Sequence, residues 1–146
     1  MKLHRSEIQI QSVNEWSKNS NINFSGKKVL IVEDTIINAV LLQKILSKWE
    51  IQSEHVENGK IALEKIKNTS YDFILMDIHM PDMNGIEVTK QIKTTENLNK
   101  DTPVIALTAD TMLTVANYEN NYFNGFLWKP FEIDKLKNVL QQLFLS

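Results

Sequence analysis

Cysteine is absent from the 146 residues, which excludes disulfides and thiolate metal sites and fits a reducing cytosol. No apolar run approaches the roughly 20 residues that span a bilayer. Met1-Lys2-Leu3-His4-Arg5 lacks the apolar stretch of a secretory signal. Basic clusters are missing too. The formal net charge is -2, so nucleic-acid binding by this chain alone is disfavoured, because phosphate contacts need clustered Lys and Arg. The three histidines, His4, His55 and His79, share no ligand spacing. Repeats and low-complexity tracts are also missing. What is present is a 42% hydrophobic content, enough for one domain with a full core.

A break falls near Gly26. Residues 1–25 are rich in Ser, Asn and Gln, with Trp16 and Phe24 as isolated aromatics, and read as a linker or the tail of a preceding domain. The alternation Glu7-Ile8-Gln9-Ile10-Gln11 also admits a short strand. From Lys27 onward, Val29-Leu30-Ile31-Val32 and Phe73-Ile74-Leu75-Met76 are short continuous apolar runs, the signature of strands buried on both faces. Ile51 to Val56, Pro103 to Leu107 and Phe123 to Trp128 read as three further strands. Helical spacing joins Asn38, Leu41, Leu42, Ile45, Leu46 and Trp49 in a core stripe. Further helices are expected around Ile61, Ala62 and Ile66, over Ile86 to Thr94, over Thr111 to Asn120, and from Glu132 with Ile133, Leu136, Val139, Leu140 and Leu143 inward. Five strands alternating with five helices imply right-handed crossovers and a doubly wound parallel α/β sheet.

In such sheets ligands sit beyond the carboxyl ends of the strands. There the sequence places Glu33-Asp34, Asp77, Thr108-Ala109 and Lys129-Pro130. Three carboxylates on one rim repel one another unless a cation is present. Oxygen-only donors select a hard ion, and Mg2+ is the expected one, with Mn2+ able to substitute. A lysine at the same rim neutralises a carboxylate and binds phosphoryl oxygen. The Thr108 hydroxyl and the Ala109 N–H add donors. Metal, lysine and hydroxyl around carboxylates compose a phosphoryl-transfer site. Dinucleotide binding would need Gly-x-Gly-x-x-Gly after the first strand, where the chain has Glu33-Asp34-Thr35-Ile36-Ile37. That acidic pair would also repel a flavin phosphate.

From Lys27 to Ser146 the sequence resembles the receiver domains of two-component response regulators. The matching motifs are Val29-Leu30-Ile31-Val32-Glu33-Asp34, Met76-Asp77-Ile78-His79-Met80-Pro81, Asn84-Gly85, Ala106-Leu107-Thr108-Ala109 and Leu127-Trp128-Lys129-Pro130. The resemblance implies a flavodoxin-like (βα)5 fold with strand order 2-1-3-4-5. It implies that Asp77 is the phosphoacceptor, taking its phosphoryl group from a phosphohistidine. Glu33, Asp34, Asp77 and the backbone carbonyl of His79 would bind Mg2+, and Thr108, Ala109 and Lys129 would hold the phosphoryl group. Thr108 and Phe126 would act as the switch pair, and the Lys129-Pro130 bond would be cis. His79 and Asp110 occupy the variable flanking positions that tune the lifetime of the phosphorylated state. Asn38 and the Met80-to-Gly85 loop look most like receivers fused to hybrid sensor histidine kinases. The implied setting is a bacterial cytoplasm, either free or as the cytoplasmic part of a membrane-bound kinase. The domain would catalyse its own Mg2+-dependent phosphorylation and dephosphorylation.

Two departures from the family pattern stand out. The stretch from Thr108 to Lys129 is slightly short, which bears on the fourth helix, and Thr35 replaces the Asn common in hybrid receivers. Ile36, Ile37 and Val40 lie off the core stripe beside the acidic pair, and an apolar group next to a reactive site reads as a docking surface. The expected partner is a histidine kinase dimerisation domain or a histidine phosphotransfer protein. A weak homodimer is also compatible with the sequence. The competing expectation is a phosphorylation-independent interaction module on the same fold, which the complete set of rim residues opposes. No output domain follows the last helix, so the expected setting is a single-domain relay or a piece of a larger kinase.

Overall fold

The computed structural model describes residues 23–109 and 122–145. Among these, β1 (Lys28–Val32), β2 (Gln52–Val56), β3 (Phe73–Asp77), β4 (Val104–Thr108) and β5 (Gly125–Trp128) alternate with four helices. These are α1 (Ile36–Lys48), α2 (Gly59–Asn68), α3 (Gly85–Thr94) and α4 (Ile133–Leu145). The helix expected over Thr111 to Asn120, Asp110, His4, and the Glu7-to-Gln11 alternation with Trp16 lie outside the described residues.

All strand pairs are parallel, in the order β2-β1-β3-β4-β5. Successive side chains on a strand point to opposite faces, and this alternation divides the core in two. Val29, Ile31, Phe73, Leu75, Ile105 and Leu107 pack with Leu42, Ile45 and Leu46 of α1 and Leu136 and Leu140 of α4. Leu30, Val32, Ile74, Met76 and Val104 pack with Ala62 and Ile66 of α2 and Val88 and Ile92 of α3. The sheet is therefore doubly wound, with two described helices on each face. β3 and β4 are buried along their whole length, as two-sided strands must be. β2 is a partly exposed edge.

Element ends differ from the sequence reading for local reasons. Ile51 gives its N–H to Leu46 O and closes α1, so β2 begins at Gln52. Pro103 has no N–H to give, and β4 runs from Val104 to Thr108. Phe123 and Asn124 precede β5. Leu41, Ile61 and Ile133 were expected to face the core. Each is about 41% exposed, because Ala39, Leu63 and Val139 take the inward positions on their helices.

At the amino ends of the strands, buried Asn99 ties three segments together. Its Oδ1 accepts from Tyr71 N at 2.8 Å, and its Nδ2 donates to Ile66 O at 2.8 Å and Thr69 O at 2.7 Å. At the opposite end, two helices start with side-chain caps. Asn58 Oδ1 accepts from Ile61 N at 2.9 Å, and Asn84 Oδ1 from Glu87 N at 3.0 Å. α1 is the exception. Its N-cap Thr35 makes no side-chain cap, and its own N–H is drawn to Glu33.

Candidate functional site

The carboxyl ends of β1, β3, β4 and β5 bring together the residues that the sequence singled out. Glu33 and Asp34 follow β1, Asp77 ends β3, Thr108 ends β4 with Ala109 after it, and Lys129 follows β5. One carboxylate oxygen from each of Glu33, Asp34 and Asp77 lies within 4.8 Å of the others. Glu33 and Asp77 are buried and Asp34 reaches solvent.

Each of the two buried acids has one oxygen hydrogen-bonded to a backbone N–H and one without a hydrogen bond. Glu33 Oε2 accepts from Thr35 N at 3.0 Å, and Asp77 Oδ1 accepts from His79 N at 3.1 Å. Glu33 Oε1 and Asp77 Oδ2 are buried without a hydrogen-bond partner, an arrangement that is costly unless another ligand completes it. Lys129 is the one cation among the described residues paired with these acids. Its Nζ stands 3.5 Å from Glu33 Oε1 and 3.6 Å from Asp77 Oδ1. Its backbone N–H donates to Thr108 O at 2.8 Å, which joins β4 to the lysine turn. The Lys129-Pro130 peptide is cis.

These surroundings act directly on Asp77. Burial pushes its carboxyl up from 3.8 to about 8. The Asp34 carboxyl close by and the charge of Glu33 add to the rise, and Lys129 opposes it. Three clustered acids, with two buried oxygens that lack a hydrogen bond and no nitrogen or sulfur donor, fit a small hard cation. The donor set therefore suits Mg2+, which Glu33, Asp34 and Asp77 could hold.

Phe126 is half-buried on β5. It stacks on Trp128 with centroids 5.9 Å apart and planes at 26°, and packs against Phe123 at 5.9 Å. The same small cluster holds Ile78, Ala106 and Ile86, so the aromatic connects β5 to the segment just past Asp77. The His79 side chain and Ala109 are exposed. On α1, Ile36 is 63%, Ile37 78% and Val40 43% exposed, with Leu41 beside them.

Two contributors escaped the sequence reading. Gly85 opens α3 against the end of β3, and a Cβ there would stand 2.2 Å from Asp77 O. Gly85 N donates to Ile78 O at 2.9 Å, which fixes this approach. The Asn84-Gly85 pair was visible as a family motif at the end of a loop, but not as this close approach. The second is His55 on β2, whose Nε2 lies 2.7 Å from Glu33 O. Nothing in its local sequence signals that contact.

A five-stranded parallel sheet with three acids, a threonine and a lysine on one rim defines the class. Residues 29–141 match the family model of the response regulator receiver domain, and the chain belongs to that family. The chain is 34% identical over 139 residues to the autoinducer 2 sensor kinase/phosphatase LuxQ of Vibrio vulnificus, covering 94% of this chain and 16% of that protein. It is 37% identical over 127 residues to hybrid signal transduction histidine kinase M of Dictyostelium discoideum, covering 81% of this chain and 5% of that protein. The chain thus spans a small fraction of the relatives it matches. Among solved structures it resembles the receiver domain of a Pseudomonas aeruginosa sensor histidine kinase with magnesium coordinated in the active-site cleft. That likeness has a TM-score of 0.72 and 30% identity, covering 84% of this chain and 100% of that one. It also resembles the response regulator TrrA of Thermotoga maritima in complex with Mg2+ and BeF, with a TM-score of 0.73 and 30% identity, covering 81% of this chain and 99% of that one. Among the described residues no helix is long and apolar enough to cross a membrane.

Proposed function

We propose that this chain is a phosphoacceptor in a two-component phosphorelay, and that Asp77 is the residue phosphorylated. The observation that carries this reading is the state of Asp77 itself. It is a buried carboxylate with one oxygen fixed by the His79 N–H and the other unpartnered. It is crowded by two acids and faced by one lysine.

The transfer balances simply. An oxygen of ionised Asp77 attacks the phosphorus of a phosphohistidine, the P–N bond breaks, and the departing imidazole takes a proton. The product is a mixed anhydride on Asp77. Glu33, Asp34, Asp77 and the His79 carbonyl would hold Mg2+, which would supply positive charge to offset the acids and the incoming phosphoryl oxygens. Glu33 and Asp34 belong to the metal, and Asp77 belongs to the chemistry. Lys129 sits between Glu33 and Asp77 and offers its ammonium to a phosphoryl oxygen. The Thr108 hydroxyl and Ala109 N–H supply further donors from the end of β4. Added phosphoryl charge then recruits Thr108, and Phe126 on the neighbouring strand moves with it. The exposed side chain of His79, two residues past the acceptor, is placed to tune the lifetime of the anhydride, and Asp110 holds the second such position in the sequence.

The exposed Ile36, Ile37 and Val40 beside the acidic pair suit an apolar face of a histidine-bearing helical bundle, either a kinase dimerisation domain or a phosphotransfer protein. The direct test is intact-mass analysis after incubation with acetyl phosphate and Mg2+. The parent chain gains one phosphoryl group and Asp77→Asn gains none. Equal gain by Asp77→Asn would reject Asp77 as the acceptor. Failure of the folded parent to bind Mg2+ or to gain phosphate would favour an interaction module that works without phosphorylation.

A further inference from the structure

The backbone of Glu33 is held from both sides by the edge strand β2. Glu33 N donates to Val56 O at 3.1 Å, and Glu33 O faces His55 Nε2 at 2.7 Å. A carbonyl oxygen only accepts, so this imidazole nitrogen carries the hydrogen. The carbonyl that His55 holds belongs to the peptide joining Glu33 to Asp34. With Oε2 held by Thr35 N, Glu33 has its N–H, its carbonyl and one carboxylate oxygen committed. The remaining oxygen, Oε1, is buried without a hydrogen bond.

We infer that His55 is a positioning residue for the acidic pair. Its hydrogen bond fixes the plane of the Glu33-Asp34 peptide, and thereby the directions from which the two carboxylates approach the metal. This inference rests on the reading of Glu33, Asp34 and Asp77 as a cation site. His55 itself is no ligand. It acts one step back, as groups that orient ligands do, where loss commonly lowers metal affinity tenfold or more. Its placement explains why an edge strand, half-exposed and with little core to bury, carries a ring turned toward the rim.

The experiment uses the whole chain and Mg2+ alone, with affinity read by calorimetry and the Glu33 carbonyl carbon read by NMR without metal. Two variants separate orientation from bulk. His55→Leu keeps much of the volume and removes the donor, whereas His55→Gln returns an N–H at a similar reach. The expected result is Mg2+ affinity about tenfold weaker in His55→Leu, restored to within about threefold in His55→Gln. The Glu33 carbonyl resonance should move in the leucine variant and return in the glutamine one. A leucine variant that binds Mg2+ as the parent does would overturn the role of His55 and leave the metal site standing. Loss of affinity that glutamine fails to rescue, with the carbonyl resonance unmoved, would overturn it as well. A parent chain that binds no Mg2+ overturns both this role and the cation site.

Discussion

Lys129 Nζ lies 3.6 Å from Asp77 Oδ1 while its side chain keeps a quarter of its surface in solvent. It also reaches Glu33 Oε1 at 3.5 Å. One mostly buried lysine thus faces two carboxylates that are almost wholly buried. Removing it as Lys129→Met leaves both acids without a cation. The cost falls on the ionised forms alone. The metal-free variant should therefore unfold more easily than the parent at pH 8, by roughly 1–3 kcal/mol, with the gap narrowing toward pH 5. Denaturant titrations at the two pH values check this, and a gap that does not change with pH would reject the pairing. Saturating Mg2+ should close much of the gap, because the ion supplies the missing positive charge.

Asp77 gives a second pH signature, of opposite sense to that of an ordinary salt-bridged acid. Its carboxyl is pushed up from 3.8 to about 8 by burial, the neighbouring Asp34 carboxyl and the Glu33 charge. Between those values the folded state holds a proton that the unfolded state has lost. Stability of the metal-free protein then declines as pH rises from about 4 to about 8 through this group. Asp77→Asn removes that decline and should raise the melting temperature at pH 8 more than at pH 5. Mg2+ competes with the same proton, so its apparent affinity should climb with pH and level off near 8, with proton release on binding below that point. Calorimetry in buffers of different ionisation enthalpy measures the release directly.

Much of this site was legible before any coordinates, because parallel topology converts four distant sequence positions into one rim. The apolar runs ending in Glu33, Asp77, Thr108 and Lys129 needed only the rule that ligands gather past strand carboxyl ends. α1 was harder. Its sequence, from Ile36 to Lys48, is apolar on two faces. Periodicity therefore could not separate Ala39, Leu42, Ile45 and Leu46, which are buried, from Leu41, which is not. His55 was illegible for a different reason. Its partner is a backbone carbonyl 22 residues away, and such a contact leaves no mark on spacing or composition. Gly85 fell between the two cases, visible as a turn but not as the close approach that the turn permits.

That approach makes Gly85→Ala a sharp test of how the rim is built. The added Cβ would meet Asp77 O at 2.2 Å and Met76 Cγ at 2.8 Å. The nearer atom is main chain and cannot rotate away. Either α3 withdraws or the end of β3 bends. A loss of about 2–4 kcal/mol is expected, with Mg2+ affinity falling alongside because Asp77 is displaced. Thermal melts and Mg2+ titrations of one sample would show both. A folded variant of parental stability would mean that α3 does not seat against Asp77 as described.

The last prediction concerns the partner face. Ile37 is 78% exposed and Ile36 63%, on the first turn of the helix that follows the acidic pair. Neither side chain contributes to the core, so a charge at position 37 should cost the fold little, within about 0.5 kcal/mol. It should matter when a helical bundle carrying the phosphohistidine must lay an apolar surface there. Ile37→Lys is expected to slow transfer from a phosphorylated histidine protein by about tenfold or more, since burying an unpaired ammonium in an interface costs over 1.4 kcal/mol. Acetyl phosphate needs no docking surface, and its reaction with Asp77 should keep its parental rate. The ratio of the two rates is the measurement. If both fall together, the substitution has reached Glu33 and Asp34 through α1. If neither falls, the protein donor approaches Asp77 from another side.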